Sequence, residues 1–137
     1  MMLVDTYVAA SPIEGLGVFA AVDIPKGARI WQFDQGFDIV LYKQQLGRMA
    51  PWQASFFKRY CFMFKGRYYY CVDNARFMNH SSSSNTYETD DATCAAMDIK
   101  AGEEITCDYG DMGVTPEDKA ENLWPFVDTG DEKQKVT

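Results

Sequence analysis

The chain has 137 residues, which is enough for one domain with a single hydrophobic core and too few for two. Its 47% hydrophobic and 24% charged residues are ordinary for a soluble globular domain, and no run approaches the roughly 20 apolar residues that span a bilayer. The opening segment, Met1–Asp5, lacks the basic and apolar regions of a secretory signal. We therefore expect a soluble intracellular protein, cytoplasmic or, in a eukaryote, nuclear, with no membrane partner.

The net charge of −7 is unevenly distributed along the chain. Residues 1–85 hold 9 Lys and Arg against 6 Asp and Glu, a net of +3, and residues 86–137 hold 4 against 14, a net of −10, which together give −7. An acidic surface repels phosphate backbones, so direct binding of nucleic acid is not expected, and it attracts basic peptides. On charge alone, however, the better explanation is that the acidic residues keep the surface soluble.

The first predicted elements are two strands joined by a turn. Apolar and small residues form Val18–Val22, Pro25-Lys26-Gly27 has turn chemistry, and Ile30–Phe33 resumes a strand pattern. The same plan returns at Thr93–Tyr109.

The two stretches share a sequence pattern. Ala20–Ile30 and Ala95–Ile105 both fit A-A-x-D-I-x-x-G-x-x-I. Two copies are too few for a solenoid. We interpret them as strands that reach similar turns, each with a glycine at a backbone angle that other residues resist.

Between the two copies, Pro51–Tyr60 is predicted to be a short helix. Pro51 suits the first helical position, and the side chains with helical spacing are Trp52, Ser55, Phe56 and Arg59. A hairpin is predicted next, with strands Phe62–Phe64 and Tyr68–Val72 and a turn at Gly66. Many short strands with few helices predict a mostly β fold with small α insertions.

Two polar segments complete the prediction along the chain. Ser81–Ser84 breaks the strand pattern and is interpreted as an ordered loop. Thr115-Pro116-Glu117-Asp118 is a strong helix start, since a capping hydroxyl, a proline in the first turn and two acids all favour it. Residues 130–137 are polar and predicted to fray.

The four cysteines predict neither a metal site nor a disulfide framework. They are Cys61, Cys71, Cys94 and Cys107, and no two of them have the close spacing of a zinc ligand pair. We interpret them as buried, reduced thiols and expect no metal.

Three segments are candidates for chemistry. In Glu14–Phe19, two glycines flank Leu16 and let the backbone approach a ligand, although no third glycine makes it a dinucleotide fingerprint. Arg76–Asn85 holds Asn79 beside the only histidine. Gly102–Gly110 ends in a strand-terminal tyrosine. A Ser-His-Asp hydrolase is conceivable, but no Gly-x-Ser-x-Gly turn presents a nucleophile.

In this order, the three segments resemble the SET-domain family of protein lysine methyltransferases. They are similar to its Gly-x-Gly segment, its Arg-Phe-x-Asn-His-Ser-Cys-x-Pro-Asn motif and its Gly-Glu-Glu-Leu-Thr-x-Asp-Tyr motif. The likeness runs from about Ser11 to Gly110 and is loose over Phe37–Val72. It implies a SET-domain fold of several short β-sheets with a C-terminal pseudoknot, formed by residues 1–137 as a single domain with a core at about 7–112 and a helical lid segment at about 115–127.

The resemblance also implies roles for individual residues. S-adenosylmethionine, the family's cofactor, would be held by Gly15, Leu16, Gly17, Asn79 and His80. Tyr109 matches the catalytic tyrosine, and the lysine channel would be lined by Phe33, Tyr87 and Cys107. The substrate would be a lysine-containing, basic protein.

The sequence departs from the family pattern at several positions. Ser82 and Ser84 replace the usual Cys and Pro of the second motif, and Cys107 stands where the family commonly has Phe or Tyr. The cysteine-rich zinc tail of many relatives is absent. Two hypotheses follow, a lysine methyltransferase and a non-catalytic SET module that binds a partner or cofactor without turnover. The intact Asn79-His80 and Asp108-Tyr109 pairs favour the enzyme.

Overall fold

The structure is a computed structural model that describes residues 1–64 and 66–111. Most of its regular elements are short strands. In chain order they are β1 Thr6–Ala10, β2 Leu16–Ala20, β3 Arg29–Gln32, β4 Ile39–Leu41, α1 Lys43–Gly47, α2 Pro51–Tyr60, β5 Cys61–Phe64, β6 Arg67–Tyr70, β7 Asn79–His80, β8 Thr86–Glu88, β9 Ala92–Ala95 and β10 Glu104–Cys107. The predicted fold class, mostly β with small α insertions, is confirmed. No helix in this part of the chain is long and apolar enough to cross a membrane.

The chain divides into two compact units. The first comprises Met1–Asp38 and Cys71–Asp108, and the second comprises, among the described residues, those of Ile39–Tyr70 and residues 109–111. The predicted single domain over residues 1–137 stays a prediction. The predicted lid at about 115–127 and the frayed tail at 130–137 lie outside the described residues.

The first unit contains two sheets, with strand orders β1-β2-β10-β7 and β3-β9-β8. Strand β10 runs antiparallel to β2 and parallel to β7. In the parallel pair, Thr106 and Cys107 lie opposite Asn79 and His80. The second and third sequence motifs are therefore neighbours in one sheet, which is the adjacency that the pseudoknot of a SET domain requires.

Isoleucines dominate the core of this unit. Ile24, Ile30, Ile99 and Ile105 are all at most 2% exposed, and Val18 of β2 is fully buried with them. Residues two apart on a strand have side chains on the same face, so alternate residues of a strand can line the core. Val18 and Ala20 on β2, and Ile105 and Cys107 on β10, point inward in this way.

The two copies of the sequence pattern form paired turns that exchange equivalent hydrogen bonds. Ile24 and Ile99 exchange both backbone hydrogen bonds, at 2.7 and 2.8 Å. Gly102 N donates to Ala20 O at 2.7 Å, and its counterpart Gly27 N donates to Ala95 O at 2.8 Å.

The aspartates of the two copies cap each other's turns. Asp98 Oδ1 accepts from Lys26 N at 2.8 Å, and Asp23 Oδ1 accepts from Ala101 N at 2.9 Å. Both glycines of the pattern have positive φ, 86° and 91°, a conformation that side chains resist. The predicted similarity of the two turns is confirmed, and each turn is completed by the other.

The second unit has the sheet order β4-β6-β5 beside the two helices. Its small core consists of Leu41, Leu46, Met63 and Tyr68, with Phe57 and Cys61 packed against it. Helix α2 has the predicted bounds, and its first turn is closed by Gln53, whose side chain accepts from Ala50 N at 2.9 Å. Two of its aromatic residues are exposed to solvent, Trp52 at 74% and Phe56 at 43%.

Several element bounds differ from the sequence prediction. The predicted hairpin is present as β5 and β6, but the strand expected at Val18–Val22 is β2, Leu16–Ala20. The shift follows from pairing, because β1 aligns with β2 from Ala10 opposite Leu16 onward. Strands β1 and β4 and helix α1 were not predicted.

Candidate cofactor-binding site

The Gly-x-Gly segment lies at the turn between β1 and β2. Ser11 N donates to Gly15 O at 2.8 Å, which closes the turn. Gly15 has a φ of 46°, and a Cβ placed there would meet nothing within 4 Å. Leu16 is 50% exposed. The first half of the segment is thus an open backbone surface that a ligand can approach.

Asn79, at the start of β7, ties this turn to the third motif. Its Nδ2 donates to Glu14 O at 3.2 Å, to Leu16 O at 3.1 Å and to Glu104 Oε2 at 3.0 Å. An amide nitrogen has two hydrogens, so three acceptors engage its whole donor capacity. Among the described residues, Asn79 Oδ1 accepts no hydrogen bond.

Glu104, the first residue of β10, is the hub of these contacts. Its carboxylate accepts from Ser11 Oγ, which lies 2.7 Å from Oε1 and 3.0 Å from Oε2, and from Asn79 Nδ2. Ser11 Oγ in turn accepts from Ile13 N at 3.0 Å. One carboxylate therefore connects the β1–β2 turn, β7 and β10.

Gly17 owes its identity to this carboxylate. A Cβ at Gly17 would lie 2.6 Å from Glu104 Oε2, 2.9 Å from Glu104 Cδ and 3.0 Å from Ser11 Cβ. Such contacts are too short for carbon, so a side chain at Gly17 would displace the Glu104 carboxylate from its hydrogen bonds. The two glycines of the segment differ, since the space at Gly15 is open and the space at Gly17 is filled by the protein itself.

His80 follows Asn79 in β7 and faces the end of β10. Its Nδ1 lies 3.7 Å from Asp108 Oδ1, and both side chains are 28% exposed. At this distance, the two groups form an ion pair when the imidazole is protonated. The contact links His80, the last residue of β7, to Asp108, the residue that precedes Tyr109.

The serine-rich loop after β7 is ordered by hydrogen bonds to β10. Ser81 N donates to Cys107 O at 3.0 Å, and Thr86 Oγ1 donates to Thr106 O at 2.7 Å. Asn85 acts like a strand partner, because its Nδ2 donates to Glu104 O at 2.8 Å and its Oδ1 accepts from Thr106 N at 2.9 Å. The interpretation of Ser81–Ser84 as an ordered loop agrees with these contacts.

Cys107 lies on the buried side of β10 among acidic neighbours. Burial, followed by electrostatic interactions with Glu88, Cys71 and Asp108, raises the pKa of its thiol well above the usual 9.0. Burial also raises the pKa of the Glu88 carboxyl to about 7, against the opposing effect of a hydrogen bond from Thr93. The Thr93 hydroxyl lies 2.8 Å from Glu88 Oε2 and 3.0 Å from Oε1. This region contains an uncharged thiol and a carboxyl that titrates near neutrality.

A comparison with protein families identifies the fold. A model of the SET domain matches residues 15–110, which include all three motifs. The chain belongs to the SET domain family. No curated protein sequence matches it significantly.

Solved SET structures share the fold. The crystal structure of a Plasmodium falciparum protein assigned as a histone methyltransferase superimposes with a TM-score of 0.59 at 21% identity, over 80% of this chain and 96% of that one. Polycomb Repressive Complex 2 of Chaetomium thermophilum, bound to an inhibitor, gives 0.61 at 21% identity, over 82% of this chain and 16% of that one. An apo form of this complex with substitutions in Ezh2 gives 0.64 at 25%, over 80% and 15%. The chain thus spans nearly all of the first relative and about a sixth of the Polycomb chains.

Three further residues are expected in a SET active site: Tyr109, Phe33 and Tyr87. Tyr109 begins a single 3-10 turn, Tyr109–Asp111, directly after Asp108, and it belongs to the second compact unit. Phe33 follows β3 and is partly buried, and Tyr87 on β8 is 47% exposed. The catalytic role of Tyr109 and the channel roles of Phe33, Tyr87 and Cys107 stay predictions.

Sequence reasoning missed Ser11, Glu104 and Glu88 as parts of the site. Glu104 lies inside the recognised Gly-Glu-Glu motif, but the motif does not say which glutamate faces the Gly-x-Gly turn. Ser11 is 93 residues from Glu104 in sequence, so no local pattern connects them. The described residues contain no group of three or more His, Cys, Asp or Glu that could hold a metal ion.

Proposed function

We propose that this SET domain binds S-adenosylmethionine and transfers its methyl group to a lysine side chain of a protein. The observation that supports this best is that Leu16, Asn79 and Glu104, one residue from each motif, meet in the first unit. The Asn79 amide contacts the carbonyl of Leu16, 63 residues away, and the Glu104 carboxylate, 25 residues away. Motifs so far apart in sequence meet in a single set of hydrogen bonds.

The residues present fit such a cofactor. The amide hydrogens of Asn79 Nδ2 are already engaged, so the side chain meets a ligand with its acceptor Oδ1, which suits a charged amino group. The open backbone at Gly15 and the exposed Leu16 give access to the turn. In this proposal the cofactor is held by Gly15, Leu16, Asn79 and His80. Gly17 contributes indirectly, because its lack of a side chain leaves room for the Glu104 carboxylate. When bound, the cofactor supplies an electrophilic methyl group on a sulfonium.

The chain's own contribution to the reaction would be alignment and electrostatics. A lysine has an ordinary pKa of about 10.4 and must lose its proton before it attacks, and apolar surroundings favour the neutral amine. The Tyr109 hydroxyl would orient this amine and place partial negative charge beside the reacting carbon. Cys107, whose buried thiol stays neutral, adds no charge to the channel.

The substrate proposed is a basic, lysine-containing protein. Residues 86–137 carry a net charge of −10, which attracts basic segments and repels nucleic acid. If this attraction contributes, activity on a lysine-rich peptide falls as salt concentration rises, because salt screens exposed charges. A salt-independent kcat/KM would assign the acidic residues to solubility alone.

Two measurements test the proposed function. Calorimetry with S-adenosylmethionine asks whether the cofactor binds. Incubation with labelled cofactor and a panel of basic proteins, followed by mass spectrometry, asks whether methyl groups reach lysine. Binding without transfer to any protein of the panel would favour a non-catalytic SET module that binds the cofactor. Absence of binding would contradict the proposed enzyme and leave only a SET module that binds a protein partner.

A further inference from the structure

Glu104 has a carboxylate whose side-chain hydrogen-bond donors, Ser11 and Asn79, are both neutral. Within residues 1–64 and 66–111 it has no ion-pair partner, although it is partly buried and accepts hydrogen bonds from Ser11 and Asn79. Gly17, which has no side chain, lies directly beside the Glu104 carboxylate. A partly buried negative charge without a counter-ion costs free energy, so its surroundings are the natural place for a cation to bind.

The contacts of Glu104 also fix the orientation of Asn79. Rotating the Asn79 amide by 180° would bring its oxygen against Glu104 Oε2 and the carbonyls of Glu14 and Leu16, all of which are acceptors. That arrangement would lose every hydrogen bond and add repulsion between oxygens. Donation to a charged acceptor also polarises the amide, which makes Asn79 Oδ1 a stronger acceptor.

We infer that Glu104 is the positioning residue for the cofactor's α-ammonium group, which it selects by holding Asn79 Oδ1 toward that cation and by supplying the balancing negative charge. This inference rests on the proposed function, because it concerns the amino end of the same cofactor. In this inference, Asn79 makes the direct hydrogen bond to the ammonium group. Glu104 makes that position favourable for a positively charged group.

The test compares two ligands that differ by a single amino group. S-adenosylhomocysteine and its deaminated analogue are titrated calorimetrically into the wild type, into Glu104→Gln and into Glu103→Gln. Glu103→Gln removes the same charge from an exposed neighbouring side chain and serves as the matched control. The quantity of interest is the ratio of the two dissociation constants, which cancels any effect on the shared part of the ligand.

We expect Glu104→Gln to weaken binding of S-adenosylhomocysteine about tenfold while the deaminated analogue binds nearly as in the wild type. Glu103→Gln should leave the ratio unchanged. In turnover assays, Glu104→Gln should raise KM for S-adenosylmethionine while kcat at saturation is retained. Equal weakening of both ligands would show a purely structural role and overturn the inference.

A second variant covers the case in which Glu104→Gln does not fold. Ser11→Ala keeps the carboxylate and removes the hydroxyl that holds it, and we expect about a threefold loss confined to the ligand with the amino group. A loss shared by both ligands again overturns the inference. A wild-type protein that binds neither ligand would instead contradict the proposed function, whereas binding of both with equal affinity would contradict only the role of Glu104.

Discussion

Glu88→Gln should make the protein more stable at alkaline pH and leave its stability nearly unchanged in acid. Burial raises the pKa of Glu88 from its usual 4.5 to about 7, so the folded state binds a proton more tightly than the unfolded state does. The corresponding stability is fully present below pH 4.5 and is lost as pH rises through about 7. Because one pKa unit corresponds to about 1.36 kcal/mol, ionising Glu88 costs the folded state about 3 kcal/mol.

The variant removes this cost because its amide never ionises, and its oxygen can still accept from the Thr93 hydroxyl. Thermal unfolding followed by circular dichroism at pH 5, 6, 7 and 8 measures the difference, which should grow to a Tm gain of about 10 °C at pH 8. Glu103→Gln controls for the loss of an exposed charge. A difference between variant and wild type that does not change with pH would refute the reasoning, since all other titrating groups are common to both proteins.

The other predictions concern the site. Asn79→Ala should weaken S-adenosylmethionine binding by about one to two decades in calorimetry, because it removes a hydrogen bond to a charged group; unchanged affinity in a folded variant would argue against its role. Tyr109→Phe should nearly abolish methyl transfer and change cofactor affinity only a few fold, so near-normal turnover would disprove the catalytic assignment. Gly17→Ala should destabilise the protein by about 1–3 kcal/mol in chemical denaturation but by less than half of that in a Glu104→Ala background, because the obstructing carboxylate is then gone. Equal losses of stability in the two backgrounds would mean that Glu104 is not the reason for a glycine at this position. Cys107→Tyr should shift products toward monomethyl-lysine in mass spectrometry, because the thiol leaves more room than a phenol; an unchanged distribution would show that this position does not set the product.

The sequence was most informative where a structure depends on near neighbours. Helix α2 was predicted with its observed bounds, because Pro51 fits the first turn and the apolar spacing is helical. The hairpin at Gly66 and the two similar turns were recognised for the same reason. The three motifs were recognised because, in this order, they resemble those of the SET-domain family, and it was this resemblance that predicted that they meet.

The partners of these motifs were harder to predict, because they are set by pairing between distant strands. Whether Glu103 or Glu104 faces the Gly-x-Gly turn depends on where β10 begins and on its register with β2, and a shift of one residue would exchange them. The glycine pattern was interpreted as room for a ligand at both positions, yet a Cβ at Gly17 would meet Glu104. The raised pKa of Glu88 likewise arises from tertiary burial, which a strand pattern does not specify.

The paired turns determine how early the chain can complete its structure during synthesis. The N–H of Lys26 gains its acceptor only after Asp98, 72 residues later, has been synthesised. Asp23 likewise gains its donor only after Ala101, 78 residues later, has been synthesised. When the first turn leaves the ribosome, its partners have not yet been made, so water satisfies these groups in the meantime. Closing such long loops costs entropy before any contact compensates for it, which slows folding. The first unit therefore cannot fold progressively from its N-terminus, and the nascent chain reaches its hydrogen-bonded form only when the second copy of the pattern has emerged.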